Sequence, residues 1–172
     1  MKTKRICMIA IAAALMVVCS WITVPGPVPF TLQTFAIYLT AITLGGKNGL
    51  YTMLVYVILG AAGLPVFSGF RAGPGVLAGP TGGYIVGFIL IPAIMLVFEK
   101  RSKTIKLLSA IAALFICYAF GTVWYAVIYM GSGQSISIAA ILIACVIPFI
   151  LPDLLKIAIA YIIADRISFR QK

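Results

Sequence analysis

Six apolar runs take up about two thirds of this 172-residue chain, and no break between them is longer than 18 residues. A helix needs roughly 20 apolar residues to cross the hydrocarbon core of a bilayer. That leaves no room for an extramembrane domain of ~100 residues. With 63% of its residues apolar and 9% charged, the chain is also far from a water-soluble globule, where about half and a quarter are usual. The expected fold is all-α and integral to the membrane. It forms a single transmembrane domain over residues 1–172, with six spans at about 6–24, 34–44, 50–62, 81–98, 105–130 and 136–164.

The breaks fit that plan. A cleavable signal wants small residues before the cut, whereas Val17-Val18 precede Cys19, so residues 6–24 read as a first helix. Pro25-Gly26-Pro27 and Pro29 end it, leaving 24–33 as an outside loop. Gly45-Gly46-Lys47-Asn48-Gly49 then parts two short runs expected to pack as a close hairpin. Residues 63–80, rich in glycine and proline, carry the lone Arg71. Irregular backbone is not tolerated against lipid, so this outside loop sits at the surface or folds over a cavity. Pro148 and Pro152 interrupt the last run, which is longer than one crossing needs and is expected to tilt or kink.

A net charge of +10 would suggest nucleic acid in a soluble chain. Here the cations mark topology instead. With six spans, all of the thirteen Lys and Arg except Arg71 and Lys156 fall on one side. The positive-inside rule then places both termini inside. The chain has three acids (Glu99, Asp153, Asp165) and no histidine, an inventory that cannot build a carboxylate cluster, a Ser-His-Asp triad or a histidine metal site. Cys7, Cys19, Cys117 and Cys145 lie in apolar runs with no CxxC pair and read as small hydrophobes. No catalytic residue and no metal are expected.

Asp153 and Lys156 stand out, three residues apart and so on one helical face. Counting back from Arg166, they lie ~20 Å and ~15 Å inside the inner boundary, where each carries an insertion cost of roughly 2.5–3.5 kcal/mol. Two readings stand, an ion pair that merely locks helices together and a polar pair awaiting a small ligand. Acceptors and donors side by side would suit a planar group with adjacent N–H and C=O. Arg71 could hold a carboxylate through paired hydrogen bonds or reach lipid phosphate. Gln33, Thr31, Tyr56 and Tyr84 could hydrogen-bond near the same outer face or simply anchor the interface. Gly79-Pro80-Thr81-Gly82-Gly83-Tyr84 does not fit a phosphate-cradling loop; glycines such as Gly82 permit close backbone approach to a ligand. Energy for any transport must therefore come from another polypeptide. Ala10 and Ala14 form A-x-x-x-A, a spacing that lets two membrane helices pack closely.

Four segments taken together look familiar. They are Pro27-Val28-Pro29-Phe30-Thr31-Leu32-Gln33-Thr34, Gly60-Ala61-Ala62-Gly63-Leu64-Pro65-Val66-Phe67, Leu77-Ala78-Gly79-Pro80-Thr81-Gly82-Gly83-Tyr84 and Pro152-Asp153-Leu154-Leu155-Lys156. In this order, across nearly the whole chain, they resemble the BioY family, the biotin-specific substrate-binding (S) components of energy-coupling factor (ECF) transporters. The resemblance implies a six-helix, multi-pass protein of the plasma membrane that captures biotin at the outer face. It implies no cofactor, biotin being the transported ligand. The implied partners are a transmembrane coupling subunit and two ATP-binding-cassette ATPases, with Ala10 and Ala14 contacting the coupling subunit. Asp153 and Lys156 would contribute to the biotin site, Arg71 would hold the valerate carboxylate, and Phe30 and Tyr84 would wall the apolar body. Other classes fit less well. A membrane enzyme on a lipid or prenyl substrate usually needs more than one mid-membrane acid. A stand-alone channel needs a polar stripe or an internal repeat, and a scaffold leaves the Asp–Lys pair unexplained.

Overall fold

The computed structural model describes residues 2–131 and 137–170; most of the break expected between 130 and 136, with the start of the last run at 136, lies outside the described residues. The chain forms α1 (Lys2–Trp21), β1 (Thr23–Val24), β2 (Phe30–Thr31), α2 (Gln33–Leu44) and α3 (Gly46–Ala61). There follow a 3-10 turn (Ser68–Phe70), α4 (Pro74–Ala78), α5 (Gly82–Val97), α6 (Lys103–Gly131), α7 (Ile138–Cys145) and α8 (Ile147–Arg170). Three stretches, Thr3–Trp21, Lys103–Gly131 and Ile138–Ile167, are long and apolar enough to cross a membrane. α2, of 12 residues, and α5, of 16, are apolar but shorter.

Several joints differ from their sequence expectation, each for a local reason. α1 stops at Trp21 because the β-branched Thr23 and the adjoining Val24 pair in antiparallel register with Thr31 and Phe30. The proline-rich stretch thus becomes the turn of a small hairpin. Between α2 and α3 only Gly45 (φ 85°) reverses the chain, and Gly46–Gly49 already belong to α3. Within 63–80 the loop holds a short helix opened by Pro74 at its first position, where a missing N–H removes no helical bond. The final run breaks at Val146, ahead of Pro148.

The helices bury one stripe each and leave the rest apolar. On α8 the buried positions are Asp153, Lys156, Ile157, Ala160 and Ala164, a 3.6-residue stripe that faces α2. On α6, Ala110, Ala113, Leu114, Cys117, Tyr118 and Tyr125 form the stripe against α5 and α8. Large apolar side chains such as Ile11, Val123, Leu151 and Ile162 are exposed on the outer faces. A stable fold with so much exposed apolar surface is matched to lipid rather than water. The hairpin, the N-terminus of α2, the 63–80 segment and the start of α5 meet at one end of the bundle, above the middle of α8.

Candidate ligand-binding site

The site begins with a charged pair out of contact with solvent. Asp153 and Lys156 are only 3% and 6% exposed, with Lys156 Nζ 2.7 Å from Asp153 Oδ1. Pro152 precedes the pair inside α8; lacking an N–H, it cannot bond the carbonyl four residues back. An isolated charge at such depth would be expelled or neutralised, so each must be offset by partners. Those partners come from across the bundle. The Thr34 hydroxyl, at the start of α2, donates to Asp153 Oδ1 at 2.9 Å. The Tyr118 hydroxyl, from α6, donates to Asp153 Oδ2 at 2.5 Å. Lys156 Nζ donates to the Thr31 carbonyl at 2.6 Å and lies 3.2 Å from Thr34 Oγ1. Its ammonium also sits 3.9 Å above the Phe30 ring, an added electrostatic attraction.

Two adjoining cavities open beside this network. One, of about 30 Å³, is lined by Thr34, Tyr118, Phe149, Asp153 and Lys156 among others. The other, of about 40 Å³, lies toward the loop end and is lined by Gln33, Tyr56, Phe67, Arg71 and Thr81 among others. Val28, Pro29, Thr31, Tyr84 and Phe88 border both, so they form one elongated site. A separate cavity of about 310 Å³ lies at the opposite end, lined by Glu99, Lys106 and Tyr161 among others; none of the residues expected to bind a ligand borders it.

The elongated site is polarised along its length. At the deep end the hydroxyl and ammonium donors around Asp153 are already engaged: the Thr34 and Tyr118 hydroxyls serve Asp153, and three acceptors surround the Lys156 ammonium. Unused acceptor lone pairs remain there on Asp153 and Tyr118. At the loop end the balance reverses. Gln33 is 3% exposed, yet its amide nitrogen has no hydrogen-bond partner among the described residues. A buried donor left unmade costs ~1–3 kcal/mol. Among the described residues Arg71 engages only its Nε, with the Ser68 carbonyl at 3.0 Å, and it lines the same cavity. Acceptors lie deep and donors lie shallow, between walls of Val28, Phe88 and Phe149.

The residues selected from sequence divide accordingly. Asp153, Lys156, Thr31, Gln33, Tyr56, Tyr84 and Arg71 all border the elongated site. The Tyr56 hydroxyl, however, donates to the Val66 carbonyl at 2.9 Å and so fastens the loop. Tyr84 Oη lies 3.3 Å from Thr122 Oγ1. Phe30 borders neither cavity; it covers the Lys156 ammonium and lies 5.8 Å, centroid to centroid, from Phe149. Gly82 also borders neither, and a Cβ there would strike the Leu77 carbonyl, so its smallness serves the packing of α4 on α5. Thr34 and Tyr118 were not singled out, although both hold Asp153. Thr34 had one signal, its place beside Gln33 at the start of a helix. Tyr118 had none, since an aromatic on an apolar helix reads as core. On α1, Ala10 and Ala14 are exposed while Ala12 and Ala13 are buried.

Comparison with known proteins points the same way. The chain is 43% identical, over 92% of each sequence, to the biotin transporter BioY of Thermotoga maritima. It is 39% identical, over 98% of each, to a probable biotin transporter BioY of Pyrococcus horikoshii. Its fold matches the crystal structure of the S component for biotin from an ECF-type ABC transporter, with a TM-score of 0.84 at 23% identity over 99% of this chain and 93% of that one. A second bacterial ECF S component matches with a TM-score of 0.58 at 18% identity, over 100% of this chain and 99% of that one. The BioY family model matches residues 1–171, and with it the sequence motifs, the helical fold and these relatives agree: the chain is a member of the BioY family.

Proposed function

We propose that this protein captures biotin at the outer face of the plasma membrane and passes it inward as the S component of an ECF importer. The observation that carries the reading is the polarity of the elongated site. Biotin bears ureido N–H groups at one end and a carboxylate at the other, joined by an apolar ring and chain. Placed with its head group deep, it brings a ureido N–H to the acceptors at Asp153 and Tyr118, while its ureido oxygen competes with the Thr31 carbonyl for Lys156. Its carboxylate meets Arg71 and the unpartnered Gln33 amide, where a guanidinium favours an anion. Phe88, Phe149 and Tyr84 flank the apolar middle. A scaffold would also benefit from a saturated Asp–Lys pair, but it gives no reason to line the cavity that adjoins that pair with Arg71 and Gln33.

Six crossings accompany this reading: α1, α2, α3, α5, α6 and the α7–α8 pair. Both termini lie inside, the hairpin and the 63–80 segment outside. The chain carries no phosphate-binding loop, so ATP is hydrolysed by two partner ATPases and transmitted by a coupling subunit that packs on Ala10 and Ala14. The test is calorimetric titration of the detergent-purified protein with biotin, biotin methyl ester and thiamin. Tight binding of biotin, weaker binding of the ester and no response to thiamin are expected. Absence of heat and of thermal stabilisation with biotin overturns the proposal.

A further inference from the structure

The hydrogen-bond inventory around Asp153 carries an inference about which ligand atom is read there, and it rests on the biotin-capture reading above. An ionised carboxylate has about four acceptor positions. On Oδ1 two are taken, by Thr34 and Lys156. On Oδ2 one is taken, by Tyr118 at 2.5 Å. One lobe is left, on Oδ2. The phenol's single hydrogen is committed to that same oxygen, so Tyr118 Oη has only acceptor capacity left. The two free acceptors are 2.5 Å apart and line the same cavity. Acceptors so close converge on one donor; the two N–H bonds of a cyclic urea diverge and cannot each take one.

We infer that Tyr118 is a specificity-determining positioning residue: it turns the Asp153 carboxylate so that a single acceptor pocket remains, which admits one ring N–H of the ligand head group and repels an acceptor atom at that place. No donor is free within the network to serve an oxygen there, because Thr34 and Lys156 are also fully engaged. Sites built to bond an N–H reject analogues lacking it by large factors, since buried polar groups are then left unpaired.

The test uses two cyclic carbamate analogues of biotin, each with one ring N–H replaced by oxygen. In calorimetric titration of the wild-type protein, one carbamate is expected to bind at least 100-fold more weakly than biotin and the other much less affected. In Tyr118→Phe, that penalty relative to biotin should shrink at least tenfold, because the carboxylate is no longer held in one orientation. A merely structural role for Tyr118 would weaken biotin and both carbamates by the same factor and leave the ratios unchanged, which overturns the inference. Should Tyr118→Phe not yield folded protein, the wild-type comparison still decides, because equal binding of both carbamates also overturns it. Failure of biotin itself to bind the wild type sinks the capture reading instead, so the two failures are distinguishable.

Discussion

Phe67 seats its ring over Gly60, in space that a Cβ at that position would fill. The ring is buried, meets Tyr56 edge-on at 5.7 Å between centroids and lines the cavity beside Gln33 and Arg71. Backbone bonds reinforce the seat: the Gly73 N–H donates to the Gly60 carbonyl at 2.8 Å, and the Phe67 N–H to the Arg71 carbonyl at 3.1 Å. The segment bearing Arg71 is thus fixed to α3 by the seated Phe67 ring together with the Gly73–Gly60 and Tyr56–Val66 bonds. Phe67→Ala is expected to lower stability by about 3–5 kcal/mol, as large-to-small core changes do. Gly60→Ala, which adds one methyl group far from Asp153, should displace the ring and weaken biotin binding as well. Thermal melting and titration check both; a Gly60→Ala protein that melts and binds like its parent contradicts the role given to this seat.

The two cavities have room for only a few water molecules each, so a ligand enters by moving what covers them. Ser20 Oγ and Tyr56 Oη both donate to the Val66 carbonyl, at 2.5 and 2.9 Å. Trp21 Nε1 donates to the Pro65 carbonyl at 2.9 Å, and its ring lies 4.9 Å from that of Phe70. Removing one such bond costs about 1 kcal/mol, so Ser20→Ala is expected to raise the biotin association rate about fivefold. Stopped-flow fluorescence is suited to the measurement, because Trp21 and Trp124 are the two tryptophans, and Trp21 touches this latch at Pro65 and Phe70 while Trp124 bonds the far end of the segment at the Gly79 carbonyl. The signal should vanish in Trp21→Phe and survive in Trp124→Phe. An unchanged association rate in Ser20→Ala means that the latch does not limit entry.

The Asp153–Lys156 pair should behave asymmetrically on substitution. Removing one partner strands the other as a buried charge, which typically costs 3–5 kcal/mol. Lys156→Ala and Asp153→Asn are therefore each expected to lose biotin binding and to lower the melting temperature. The double variant Asp153→Leu/Lys156→Met, apolar and of similar volume, should regain most of the stability and none of the binding. Recovery of binding in the double variant would falsify the assignment of this pair to the ligand.

The parts legible in the sequence were those governed by local composition. Apolar runs marked the helices, and two charges inside such a run marked Asp153 and Lys156 as an expense needing a partner. What composition could not convey was who that partner is. Thr34 reaches Asp153 across 119 residues of chain, and Tyr118 belongs to a helix where its nearest aromatics in sequence, Phe115 and Phe120, are exposed. Nothing local separates the inward-facing ring from the outward-facing two. The assignment of Gly82 to the ligand shows the converse. A glycine beside a site can be required by a neighbouring carbonyl, here that of Leu77, and only the three-dimensional packing reveals which.

The four alanines of α1 offer a controlled test of the partner surface. Ala10 and Ala14 point outward, on the face that also exposes Ile6 and Val18. Ala12 and Ala13, at 7% and 3% exposure, are packed against the bundle. Small residues four apart let a second helix approach closely, and a tryptophan at either position would hold it off. Ala10→Trp and Ala14→Trp are expected to abolish co-purification with the coupling subunit and its ATPases while leaving biotin titration and melting unchanged. Ala13→Trp, whose side chain must enter the core, should impair folding and binding instead. The contrast matters because loss of assembly alone could reflect a damaged fold. Normal assembly of both outward variants would move the coupling contact off this face of α1.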